Sequence, residues 1–480
     1  LMTGSSNPFV VKPSSFQLSN IKRTSDSFAN PGAANASGQP FIKAGQPFSA
    51  TVTAVNALGA TTPNYGQEVT PEGVKLTSTL VTGLGLTNNP ALGNPSSFGT
   101  FASGVATGTT FTWGEVGIIT LTPSVADADY LGAGDVTGTV SGNVGRFTPD
   151  HFALSAGSLT NRILSACNPL APSTFTYMNE PLRLQFTLTA QNAANATTQN
   201  YAGGFAKLSL TSPSAFGELN FGARDTAAGT NLTARIDTGG GTVAGSWASG
   251  VAANVLATFA ITRAATPDGP FSQVRIGIAP VDDPSDNVQL SSGSLDLDAD
   301  GVGGNDHAQI GQTQIRFGRL RVQNALGSER LALQVPMQVE YWNGTGFVLN
   351  TLDSCTTLAR PNVAMDNYQL NLNACETALG GAPVSFSGGL ASAAALSAPG
   401  SANNGSVDLR VVLGTVPASP PFQNYCNGST QAGAASASRS YLQGRWTGAT
   451  YDEDPVARAT FGIYGTDKTT NRFIYFRENY

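Results

Sequence analysis

A twelve-residue segment occurs twice in this chain. Ala54-Val-Asn-Ala-Leu-Gly-Ala-Thr-Thr-Pro-Asn-Tyr65 and Ala190-Gln-Asn-Ala-Ala-Asn-Ala-Thr-Thr-Gln-Asn-Tyr201 agree at eight of twelve positions. Each copy follows an Xaa-Pro pair, Gln46-Pro47 and Glu180-Pro181. Each precedes a related strand, Val74-Lys-Leu-Thr-Ser78 and Ala206-Lys-Leu-Ser-Leu210, and Phe101-Ala-Ser-Gly-Val-Ala106 returns as Trp247-Ala-Ser-Gly-Val-Ala252. A repeat at this spacing means one unit built twice, so the fold must be a self-contained domain that works in series.

The local pattern says what that domain is made of. In Leu182-Arg-Leu-Gln-Phe-Thr-Leu-Thr-Ala190 every second side chain is apolar, and Phe48, Ala50, Val52 and Ala54 do the same in the first copy. A period of two is that of a half-buried strand. Gly, Asn, Pro and Ser clusters separate such segments, and no long stretch has a 3.6-residue period. The expectation is an all-β chain of serial immunoglobulin-like β-sandwiches, the first two an internal duplication, with a C-terminal β-rich domain.

The division expected is 1–146 and 147–312 for the two copies, the second with an Asp-rich loop, and 313–480 for the last domain. Gly145-Arg-Phe-Thr-Pro-Asp-His-Phe152 and Arg316-Phe-Gly-Arg-Leu320 mark the joins. The third domain opens on the alternating Leu331–Tyr341, where Pro336 cannot donate to a ladder and argues for an edge strand. Asn343-Gly-Thr-Gly346 should turn it back through Phe347-Val-Leu349 as a hairpin. A last hairpin is expected from Ala459–Tyr464 to Arg472–Phe476. The small residues between Gly380 and Gly405 read equally as loop or as a pair of strands.

Composition removes several functions. Charged residues are 12% of the chain and the net charge is -6, which disfavours nucleic acid as a partner. No apolar run reaches the ~18 residues of a membrane-spanning helix. Two histidines in 480 residues, with no Gly-x-Ser-x-Gly, leave few routes to hydrolytic catalysis. The opening Leu1-Met-Thr-Gly has no charged then apolar leader, so the chain reads as the C-terminal part of something longer.

Four residue groups invite a site. Asp296-Leu-Asp-Ala-Asp-Gly301 places carboxylates at alternate positions of a tight loop, the arrangement calcium needs. Asp296, Asp298 and Asp300 are the expected ligands, with Asp306 supplying further oxygen; an Asp/Gly-rich turn without metal is the competing reading. His307 is expected in solvent, since imidazole suits softer metals. Asp282, Asp283 and Asp286, matched by Asp127 and Asp129, read as a shared inter-strand loop. Asp452-Glu453-Asp454 reads as a solvated turn, and His151 as a linker hydrogen bond. The cysteines 167, 355, 375 and 426 lack CxxC spacing and suggest disulfides in an oxidising compartment. Cys355 with Cys375 closes the shortest loop, leaving Cys167 with Cys426 to tie domain 2 to domain 3, or both free.

Together, Phe9-Val-Val-Lys-Pro13, Gly114–Pro123, Gly145–Phe152, Phe175-Thr-Tyr-Met178, Tyr341-Trp-Asn-Gly344, Asp353-Ser-Cys-Thr356 and Ile474–Tyr480 resemble the C-terminal region of MshQ-like proteins. Those are bacterial surface proteins linked to biogenesis of the mannose-sensitive haemagglutinin type IV pilus. The resemblance implies an extracellular or outer-surface setting, an upstream sugar-binding domain outside this chain, and no catalytic residues. The expected function is a non-enzymatic structural and adhesion module whose partners are pilus components or copies of itself. A self-assembling fibre subunit and a glycan-active hydrolase using a carboxylate pair are the alternatives.

Overall fold

The structure, a computed structural model, describes residues 9–165, 167–298, 304–380, 383–392, 394–414 and 436–462. The chain folds into three β-sandwiches in series. The alternating strands bury the expected face: Phe48, Ala50, Val52 and Ala54 are fully buried, as are Leu182, Leu184, Phe186, Leu188 and Ala190. In the first sandwich, Ser15–Arg23, Phe48–Val55 and Val105–Phe111 form one sheet. Ile42–Lys43, Val144–Thr148, Gly117–Val125 and Val74–Leu80 form the other.

The second sandwich repeats this plan, with one correction to the expected repeat: Ala206–Leu210 is not a strand, and Phe221–Asp225 takes the place that Val74–Leu80 has in the first copy. Its four-stranded sheet orders Thr242–Ala244, Val251–Phe259, Leu182–Gln191 and His151–Thr160. The facing sheet has five strands and ends on Phe271–Ile278, Ala308–Arg316 and Phe175–Tyr177. The third sandwich sets a sheet around Met337–Trp342 against one built from Ala325–Gly327, Val456–Phe461, Gly405–Val411 and Val363–Leu370. Only one α-helix, Ser214–Leu219, occurs among the described residues.

The duplication is visible atom by atom. Tyr65 packs edge-on against Phe16 and Phe101, with ring centroids 5.2 and 4.7 Å away. Tyr201 packs the same way on Phe152 and Trp247, at 5.7 and 4.9 Å. The Asn56 side chain accepts the backbone N–H groups of Leu58 and Ala60; Asn192 accepts those of Ala194 and Ala196. Gly104 and Gly250 both have positive φ, +79° and +76°. A Cβ at either would run into the carbonyl of the preceding turn, that of Thr62 or of Thr198. The shared twelve residues are therefore a turn and its tyrosine plug, with a glycine that must come close to it.

Each sandwich also joins its exit strand to an early strand in parallel. Ile42 and Lys43 pair with Phe147 and Thr148, Phe175–Tyr177 with Gln314–Arg316, and Ala325–Gly327 with Ala459–Phe461. One expectation for the third sandwich is corrected here. Pro336 breaks the predicted strand into Leu333–Gln334 and Met337–Trp342, and the latter lies inside its sheet, between Gly318–Val322 and Leu390–Ala391. The missing N–H is accommodated by interrupting the strand rather than by moving it to an edge. The second arm of the expected C-terminal hairpin, Arg472–Phe476, lies outside the described residues. The Phe347–Leu349 hairpin forms as expected, and the small-residue stretch contains paired strands, Val384–Ser387 with Leu390–Ala391.

Replacing Gly104 or Gly250 by alanine should destabilise each sandwich to a similar degree, roughly 1–3 kcal/mol from strain and displacement of the turn. Urea unfolding of both variants is the check, and a neutral outcome for either would break the equivalence.

Candidate functional site

Backbone hydrogen bonds between Leu295 and His307 close a hairpin base on either side of the Asp-rich segment, of which residues 299–303 lie outside the described residues. Its flanks are pinned to the rim of the second sandwich. Arg224 donates to the carbonyl of Asp296 at 3.0 Å and stands 3.6 Å from its carboxylate, while the Asn231 amide donates to the carbonyl of Asp298. Asp298, Asp306 and His307 each bring a ligand atom to within 4.8 Å of the other two. His307 is fully buried, not solvent-exposed as its loop position suggested. The inward register of the hairpin base puts it there, with Nδ1 at 2.6 Å from Asp306 and Nε2 against Gly222. Asp296 is engaged by Arg224, and Asp300 lies outside the described residues. The donor set brought together is two carboxylates and an imidazole, a combination that suits zinc-like ions better than the all-oxygen cage of calcium.

The second acidic group serves the junction between the first two sandwiches. Asp282 accepts the Tyr201 hydroxyl at 2.8 Å and is buried, and burial pushes its carboxyl up to about 7. Asp286 receives both Nη groups of Arg146, which comes from the first sandwich. In the first copy, Asp127 and Asp129 instead cap their own loop. Beside this clasp, Glu115 accepts the backbone N–H groups of Gln199 and Asn200 at 2.8 and 3.0 Å. Asn200 in turn binds the backbone of Thr87, Asn88 and Val116. His151 bridges Asp150 and Gln191, a linker hydrogen bond of the expected kind. Ala33, Val116 and Ile118 of the first sandwich belong to the same apolar core as the second.

The junction between the second and third sandwiches is built on a buried arginine that sequence reading missed. The Arg162 side chain is fully buried and donates Nε to Glu180 at 3.1 Å, Nη1 to Asp353 at 2.8 Å and Nη2 to Thr356 at 2.8 Å. Phe175 and Tyr177 lie with ring centroids 5.0 Å from its guanidinium, and the Tyr177 hydroxyl donates to Asp353 at 2.9 Å. Burial opposes ionisation of Asp353, yet the Arg162 charge and the Thr356 hydrogen bonds hold its carboxyl below the usual range. Arg263 crosses the same junction to the carbonyls of Gly318, Gln443 and Tyr451, and Phe175 and Tyr177 enter the core of the third sandwich.

Beside Arg162 lies a disulfide, Cys167–Cys355, with Cα atoms 4.6 Å apart. This corrects the expected Cys355–Cys375 pair: a 188-residue separation in sequence is cancelled in space by the ion cluster that draws the 161–167 segment onto Asp353. Cys375 is exposed and Cys426 lies outside the described residues. Asp353-Ser-Cys-Thr356 is visible as a motif, and a charge next to a cysteine in so uncharged a chain is the available clue. Glu453 and Asp454 hold backbone N–H groups of Trp446, Thr447 and Leu413, so they staple loops and do not face a cleft as a pair.

Models of three consecutive domains of one family, DUF6701, match the chain: the second domain at residues 12–112, the third at 115–306 and the fourth at 316–479. No curated protein matches its sequence. Among solved structures, the chain is similar to the I-band fragment I67–I69 from titin, at 8% identity and TM-score 0.24, covering 88% of this chain and 93% of that one. InvD of Yersinia pseudotuberculosis is 14% identical, with TM-score 0.24 and coverage of 77% and 89%. The three N-terminal domains of the bacteriophage RB49 outer capsid protein Hoc are 10% identical, with TM-score 0.23 and coverage of 83% and 92%.

Three outcomes follow for the junctions. The unfolded chain ionises Asp282 near the ordinary 3.8, whereas the folded chain keeps it protonated up to about 7. Its destabilising contribution therefore grows as pH rises from about 4 to 7 and then stays constant. Asp282→Asn should stabilise the chain at pH 8 by on the order of 2–4 kcal/mol and leave it unchanged at pH 4; melting curves at both values decide. The paired Cys167→Ser and Cys355→Ser variant should lose about 2–5 kcal/mol of third-sandwich stability. Arg162→Met should cost about 3–5 kcal/mol by leaving Glu180 and Asp353 buried without their cation. Proteolysis confined to the third sandwich is the readout.

Proposed function

The chain belongs to the DUF6701 family, and we propose that it is a non-enzymatic, stiff spacer of an extracellular bacterial surface protein. The observation that carries this is the continuity of both junctions. Apolar cores and buried ion pairs run across each boundary, Arg146–Asp286 at the first and Arg162–Glu180–Asp353 at the second. A boundary whose charges are buried and paired resists opening, because separating the domains would expose apolar core and strand those charges. The Cys167–Cys355 bond supports an oxidising location. The resemblance to MshQ-like proteins supports type IV pilus components as partners and adhesion as the process served.

The Asp298–Asp306–His307 cluster is proposed to hold a divalent cation. Calcium is the expectation from the Asp spacing; the imidazole makes a zinc-like ion the favoured occupant. The cluster stands at the start of Ala308–Arg316, and that nine-residue strand separates it by roughly 30 Å from the junction with the third sandwich. A cation there would brace the rim of the second sandwich and not the hinge.

Small-angle scattering should fit a single rigid shape, unchanged by a chelator, while the same chelator lowers the melting temperature of the second sandwich. An ensemble of bent shapes, or a bacterium whose attachment is normal without this chain, would refute the spacer reading. Elemental analysis of protein purified without added metal separates zinc from calcium and from an empty cluster.

A further inference from the structure

A cleft of about 480 Å³ opens where the first sandwich meets the second, within the ~300–1,000 Å³ of ordinary ligand sites. Its lining joins the Arg23–Ser25 turn, Lys43 and Gln46 of the first sandwich to Ser285 and Asp286 of the second. Each cation of the lining has a carboxylate beside it, Asp26 at Arg23 and Asp150 near Lys43, so what the cleft offers a ligand is donors left over from those pairs. Asp286 is neutralised by Arg146, which holds both its oxygens. Arg23 and Lys43 keep donors to spare: Arg23 uses Nε on the Phe41 carbonyl and Nη1 on Asp26, at 3.1 Å, and Nη2 has no partner among the described residues. Lys43 spends one proton on the carbonyl of Asp150 at 2.9 Å and has two more.

The cleft thus holds two cations with donors to spare. The rest of the lining narrows the ligand. Ser25 offers a hydroxyl group; Thr24 donates to the Thr109 carbonyl and Gln46 to Asp150, which leaves their oxygens as acceptors, while Pro40, Ile42 and Pro47 give short apolar walls that fit the C–H face of a sugar ring. No aromatic ring lines the cleft among the described residues, so it has no platform on which a nucleobase could stack. The Arg23 guanidinium lies over Phe28, 4.3 Å to the ring centroid, which fixes the direction of its remaining Nη2 donors.

We propose that this cleft binds a carboxylated sugar unit, of the uronic or sialic acid class, so that the spacer itself carries a weak glycan contact. Arg23 and Lys43 take the carboxylate, and the hydroxyl and amide groups take the ring substituents. The assignment stands apart from the spacer reading, since a rigid chain without sugar binding, or a flexible one with it, would each be plain in the data.

The test is titration calorimetry of the whole chain at low salt with glucuronate, N-acetylneuraminate, glucose and inorganic sulfate. At least one acid should bind saturably, with glucose and sulfate weaker by about tenfold or more, as expected for losing a charge-assisted bond or the ring contacts. Ser25 is exposed in a turn, so Ser25→Asp adds a repelling charge without disturbing the fold; it should weaken the acid by about tenfold with an unchanged melting temperature. Lys43→Ala should act in the same direction. Equal binding of glucose or sulfate, no binding by either acid, or an affinity that ignores Ser25→Asp overturns the proposal.

Discussion

A buried guanidinium cannot be left alone, and that constraint shapes the whole second half of this molecule. Arg162 sits at the end of the His151–Thr160 strand, with Glu180 from its own sandwich on one side and Asp353 from the next on the other. Glu180 alone would leave half of the guanidinium without acceptors in a dry site. The third sandwich completes the shell, so its docking is a condition of burying Arg162 at all. The disulfide, the Tyr177 hydroxyl and the aromatic rings around it all take their positions from that requirement.

The two junctions solve one problem by different means. The first uses many modest contacts, among them a carboxylate on backbone N–H groups, an asparagine that reads three neighbours, and a single Arg–Asp pair. The second concentrates charge at one point and adds a covalent bond. Charged residues are only 12% of the chain, yet arginines 146, 162, 263 and 316 are all spent at or beside a boundary.

Features with a short period are legible in the sequence. Leu182, Leu184 and Phe186 announce a strand because burial on one face repeats every two residues, and the turn around Asn56 and Asn192 is set by side-chain bonds to the backbone two and four residues on. What stays hidden depends on partners far along the chain. Arg162 and Asp353 are 191 positions apart, and the neighbour of Cys167 in space, Cys355, is remote from it in sequence. His307 looks exposed when its loop is likened to a helical calcium loop. A hairpin base alternates inward and outward, and that alternation buries the ring.

The parallel pairs near each exit have a mechanical meaning. In every sandwich the strand that leads onward is hydrogen-bonded, side by side and in the same direction, to a strand near the entry. A pull along the chain therefore runs along those bonds' common ladder and loads them all together. Antiparallel hairpin strands pulled from their open ends would instead unzip bond by bond. Force along this molecule loads three such pairs in shear, one in each sandwich.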